Sequence, residues 1–161
     1  MGPTDEGGCG MFRVVVAAAI LIVLAMSAQA RDWQQIATCG EMRGVGFFFA
    51  GGAVSKEQAG WDEMLSDGTT YLMTDGKEFD VIFKDVSGRR RSARSHDDAK
   101  LVAFPGRMTL RLLIMREAEP RLEQYTFQLD QRGNGTVILS QQHEGLASNV
   151  FIAKGQCVGA N

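Results

Sequence analysis

From residue 69 to the C-terminus, apolar and polar side chains take turns along the chain, and this alternation limits the fold more than any other feature. Met108, Leu110, Leu112 and Ile114 share one parity, with Arg107, Thr109 and Arg111 on the other. Tyr125, Phe127 and Leu129 alternate with Gln124, Thr126, Gln128 and Asp130, and Phe79, Val81 and Phe83 alternate with Asp80 and Lys84. Successive side chains of a strand point to opposite faces, so a period of two means one face on a core and one in water. That pattern belongs to antiparallel sheets, because parallel strands are covered on both faces and read as continuous apolar runs.

Turn chemistry falls between these runs. Asp75-Gly76 separates residues 70–74 from 78–85, and Pro105-Gly106 separates 100–104 from 107–117. Pro presets the first turn angle and Gly accepts a positive φ at the next position. Residues 117–120 break the following pair, and Gly133-Asn134-Gly135 separates 122–130 from 136–142, with Asn-Gly the favoured short-hairpin dipeptide. Adding strands over 43–49 and 149–154 gives about seven to eight strands in sequential meander order. Such a sheet must curl into a small barrel or fold into two layers to bury its apolar face. The expected fold is therefore all-β with a minor helical part near the start of the domain. One short helix is expected over 32–38. A second begins at Ser55, where Gln58 completes a capping box and Val54, Trp61 and Leu65 share a helical face.

The first thirty residues read as a cleavable export signal. An apolar run over 14–26 follows Arg13 and ends in Ser27-Ala28-Gln29-Ala30, whose two alanines suit a signal peptidase. A retained spanning helix needs about 20 apolar residues, more than this run supplies. Asp5 and Glu6 fit such a leader poorly, and Met11 is the better start for it. The expected product is one exported domain over 31–161, periplasmic or secreted, with no transmembrane segment after cleavage. Its two remaining cysteines, Cys39 and Cys157, are expected to pair in an oxidising compartment.

Charge excludes one class of partner. Seventeen basic and nineteen acidic residues, less Arg13, Asp5 and Glu6 of the leader, leave the domain one charge below neutral. A dedicated nucleic-acid binder needs a basic excess to displace phosphate counterions, so none is expected. No nucleophile elbow or cofactor fingerprint is present, which favours a binding domain over an enzyme. No cofactor is expected.

Three features bear on a site. Arg89, Arg90, Arg91 and Arg94 form a basic cluster that either grips an anionic envelope partner or is a solvated loop balanced by Asp85, Asp97 and Asp98. Phe47-Phe48-Phe49 sits among Gly44, Gly46, Gly51 and Gly52, and is either ordinary core or the lining of an apolar pocket. His96 and His143, each followed by an acid, would serve a metal-assisted hydrolase only if their loops met. Asn134-Gly135-Thr136 matches a glycosylation sequon but reads as turn chemistry.

The leading expectation is a small apolar ligand inside the sheet, among Phe47, Phe49, Phe79, Phe83, Tyr125 and Phe127. The alternative is an inhibitor-like or accessory protein that binds a protein or anionic polymer through its surface. A cavity of about 300 Å³ or more favours the first and a filled core the second. Thiol titration checks the cysteine pairing: the mature protein should gain two titratable thiols only on reduction, and two free thiols without reductant would contradict the bridge.

Overall fold

Ten strands and no helix occupy the residues described by the computed structural model, 32–95, 99–116 and 120–160. In chain order they are β1 (Gln34–Phe48), β2 (Gly60–Ser66), β3 (Thr69–Thr74), β4 (Phe79–Lys84) and β5 (Arg90–Ser92). The second half holds β6 (Lys100–Pro105), β7 (Thr109–Arg116), β8 (Arg121–Leu129), β9 (Gly135–His143) and β10 (Asn149–Gly159). Every pairing is antiparallel, and the order across the sheet is β5-β4-β3-β1-β10-β9-β8-β7-β6, with β2 also on β1. Apart from β1–β10, each pairing links strands adjacent in the chain or, for β1 and β3, separated only by the short β2. β5 and β6 are the two ends of this order and share no ladder. Leu72 of β3 and Val81 of β4 nevertheless pack in one cluster with Leu112 of β7 and Phe127 of β8. The sheet has therefore curled into an antiparallel half-barrel around a single core.

The eight strands expected from alternation and turns are all present. The helices expected over 32–38 and from Ser55 are not, and both segments are strand or turn. Two register shifts in β1, between Gln35 and Ala37 and between Gly40 and Arg43, change its parity. Ala37 and Cys39 point inward before the second shift and Met42 after it, so the strand never shows a clean period of two. What holds it extended is pairing on both edges: Thr38 lies opposite Tyr71 on one side and Val158 on the other. Half of the capping box at Ser55 forms: the Ser55 N–H donates to Gln58 Oε1 at 3.2 Å, while the Gln58 and Ala59 N–H groups donate to the Ser55 carbonyl at 3.2 and 3.0 Å. It closes one turn only, because Gly60 takes a φ of 136°, outside the helical range, and leads into β2. Trp61 and Leu65 then share a face for a different reason: a spacing of four satisfies a strand as well as a helix.

Cys39 and Cys157 are directly opposite in the β1–β10 ladder and form a disulfide across a separation of 118 residues. Closing so long a loop restricts the unfolded chain, a gain of up to about 4–5 kcal/mol on the chain-entropy model. Among the described residues no helix is long and apolar enough to cross a membrane.

Asp130 and Asp80 each hold a turn to a neighbouring strand. Asp130 accepts the N–H groups of Arg132 (2.8 Å) and Asn134 (2.9 Å), while Asn134 Oδ1 accepts the N–H of Gly159 at 3.1 Å. The left-handed residue inside this β8–β9 turn is Gly133, at φ 81°. Asn134 thus ties the hairpin to the end of β10, which accounts for it as turn chemistry. Asp80, only 6 % exposed, accepts from Ser92 Oγ (2.6 Å) and the N–H groups of Val81 (2.8 Å) and Arg94 (3.2 Å). It anchors β5 and the turn after it to β4. Asp80→Ala should lower stability by about 1–3 kcal/mol, since it strips partners from buried donors. Urea unfolding of both proteins measures this, and an unchanged midpoint would mean that the turn is held by something else.

Candidate functional site

The inward face of the half-barrel divides along the strand direction into two layers. In one, Ala37 and Cys39 of β1, Leu72, Leu112, Phe127, Val137 and Cys157 fill the space between strands. In the other the same strands enclose an open cleft of about 210 Å³. Its deep wall is Met42, Thr70, Val81, Ile114 and Tyr125, and Met64, Phe83 and Phe151 extend it outward. The strands that carry Leu72, Leu112 and Phe127 in the closed layer present Thr70, Ile114 and Tyr125, one inward position along, to the open one.

Charge enters this layer on the core parity. Glu123 is 5 % exposed, with Arg121 at 3.6 Å and Arg116 at 3.8 Å from its Oε1, and the Tyr125 hydroxyl donates a long 3.4 Å bond to Oε2. A carboxylate so buried needs such company, because its charge has lost the solvation of water. Burial, and then the neighbouring Glu123 charge, push the Tyr125 phenol far above its ordinary pKa. It stays protonated throughout the physiological range and serves as a donor. Thr70 Oγ1, in a residue 1 % exposed, has no hydrogen-bond partner among the described residues. Arg91 of β5 also lines the cleft, beside Phe83 of β4, its ladder partner.

These residues left a signal in the sequence. Arg121 and Glu123 stand on the same parity as Tyr125, Phe127 and Leu129, and Arg116 on that of Leu110, Leu112 and Ile114. Charged residues on a core parity mark where a core stops being dry, and this end of β7 and β8 is where the cleft begins.

The residues expected at a site go to separate places. Of the six aromatic residues expected inside, Phe83 and Tyr125 line the cleft, while Phe127 and Phe79 belong to the filled core. Phe47 lies on the outer face, where its ring meets Phe49 at 5.1 Å and Trp61 at 5.4 Å, both edge-on. Trp61 is 72 % exposed. A shallow depression of about 280 Å³ lies beside it, between Val45, Leu122 and Ile152. The arginine cluster is dispersed. Arg89 forms part of a turn closed on Asp85, Arg90 stacks over the Tyr71 ring at 5.1 Å, and Arg91 faces the cleft. Arg94 donates from Nε to the Phe79 carbonyl (2.7 Å), pairs with Glu78 (3.5 Å) and covers Trp33 at 5.9 Å. Alternation along so short a strand sends neighbouring guanidinium groups to opposite faces.

Of the histidine pair, His96 and the adjacent Asp97 and Asp98 lie outside the described residues. His143 Nδ1 sits 3.3 Å from the Ala147 carbonyl. Among the described residues, no three potential metal ligands converge. The cleft offers apolar surface, the buried hydroxyls of Thr70 and Tyr125, the polar Ser66 and Gln141, and charge from Arg91, Arg116, Arg121 and Glu123.

The ion cluster makes a stability prediction. Glu123→Gln keeps the shape but removes the carboxylate that faces both guanidinium groups, and should cost roughly 3 kcal/mol. Chemical unfolding measures it, and a loss below about 0.5 kcal/mol would place the cluster with solvent-exposed pairs of little consequence. Compared with known proteins, the chain matches no protein-family model, no curated protein and no solved structure, so the chemistry of the cleft alone informs its role.

Proposed function

We propose that the protein is an exported, non-enzymatic binding domain that holds a small apolar ligand in the open end of its curled sheet. The observation that carries this reading is the unfilled layer: about 210 Å³ lies open at one end of the curled sheet, with Met42, Met64, Val81, Ile114 and Phe151 giving it apolar surface beside its polar and charged lining. That volume falls short of the roughly 300 Å³ that would by itself favour an internal ligand, so the proposed occupant is smaller than a drug-sized one. A dry cavity of about 150 Å³ holds benzene, so the cleft suits a single substituted ring or a short acyl chain.

Placement outside the cytoplasm rests on two supports. The leader pattern of the first thirty residues fits export, and the Cys39–Cys157 disulfide fits an oxidising compartment. The dispersal of Arg89, Arg90, Arg91 and Arg94 gives the surface-binding alternative no single basic face to use.

Methionine-methyl NMR tests the reading, because Met42 and Met64 line the cleft while Met108 is exposed on the turn before β7. Toluene or hexanol should shift the Met42 and Met64 methyl signals saturably and leave Met108 in place. Ala153→Leu in β10 and Ala93→Leu in the turn after β5, which fill the cleft from different sides, should each abolish the shifts while the far-ultraviolet spectrum stays that of a β protein. Equal response of all methionines, or binding that survives both substitutions, would contradict an internal site.

A further inference from the structure

We infer that the ligand of the cleft is a small monoanionic amphiphile, a carboxylic acid of about six to eight carbons, seated between the Thr70 hydroxyl and the Arg91 guanidinium. The inference rests on the cleft being a ligand site and adds the chemistry of what fills it.

Thr70 pairs with Phe83 across β3–β4, and Phe83 pairs with Arg91 across β4–β5. The three residues form one row on the inner face, and all three line the cleft. Neighbouring strands stand 4.7–4.9 Å apart, so the Thr70 and Arg91 backbones are separated by roughly 10 Å across the Phe83 ring. An extended arginine side chain covers most of that span.

Among the described residues, neither polar end of the row has a hydrogen-bond or ion-pair partner of its own. Thr70 Oγ1 is buried without a hydrogen-bond partner, a condition that native interiors rarely leave unresolved. A hydroxyl donates one hydrogen bond and accepts others, so a carboxylate oxygen answers it. Arg91 is exposed at the edge strand. Asp85 feels its charge, but that carboxylate already accepts from Ser87 Oγ at 2.6 Å and the Arg89 N–H at 3.0 Å. Guanidinium and carboxylate make the strongest ordinary hydrogen-bonded pair.

The remaining wall decides the rest of the ligand. Glu123 would repel an anion if it stood alone, but Arg116 and Arg121 flank its carboxylate. Met42, Met64 and Phe151 offer only apolar surface to the tail. Two flexible thioethers on adjacent strands suit an alkyl chain or a ring equally, since methionine adapts to the shape beside it.

Titration with hexanoate, hexanol and hexylamine, followed by the Met42 and Met64 methyl signals, tests the inference. Hexanoate should bind about tenfold more tightly than hexanol, with hexylamine weakest. Arg91→Gln should weaken hexanoate about tenfold and leave hexanol within a factor of about two. Thr70→Val, which replaces the hydroxyl by a methyl group of similar size, should weaken hexanoate about fivefold without loss of thermal stability. Hexanol binding as well as hexanoate, or hexanoate indifferent to both substitutions, overturns the anionic ligand while leaving the cleft as an apolar site. Failure of all three probes overturns the site itself.

Discussion

The pairing of the first strand with the last, locked by Cys39–Cys157, is the constraint on which the rest of the structure depends. A meander of hairpins is local everywhere except at this one ladder, where residues 34–48 meet 149–159. Without it the sheet has two further open edges and no reason to curl. With it, β3 and β4 are carried over to face β7 and β8, and their inward residues share one core. The disulfide lies in the layer where that core is densest. The open layer is at the other end of the same strands, where bulky inward residues give way to Thr70, Ala153 and a cluster of charges.

Alternation does more in this protein than build a sheet. It sorts chemistry between two faces, and the sorting explains features that look alike in sequence. Phe47 and Phe49 share a parity that faces outward, and they pack with Trp61 rather than inside. Arg90 and Arg91 are neighbours in the chain but lie on opposite faces of β5. One guanidinium is spent on Tyr71 and the other looks into the cleft. A run of like residues in a strand is therefore two half-runs with different surroundings.

This also shows what the sequence could and could not reveal. The strands from β3 to β10 were legible, apart from the three-residue β5, because turn residues and a period of two agree there. β2 was not, because Ser55 and Gln58 announce a helix that Gly60 ends after one turn. The first half of β1 was not, because two bulges erase its period and only its partners on both edges hold it extended. The disulfide was legible from cysteine arithmetic on residues 31–161, which hold only Cys39 and Cys157. The cleft was half legible: Tyr125 and Phe83 were expected inside, yet Arg116, Arg121 and Glu123 on the core parity were the stronger clue. Thr70 was beyond reach, since a threonine in a strand says nothing of whether its hydroxyl finds a partner.

The central claim is that the interior is filled at the disulfide end and open at the other. A crystal of residues 31–161 pressurised with xenon tests it most directly, because xenon enters apolar cavities without needing a specific contact. Xenon is predicted in the space bounded by Met42, Met64, Ile114 and Tyr125, with none among Leu72, Phe127 and Val137. Density absent from the first position, with side chains of the surrounding strands closed over it, would contradict the account.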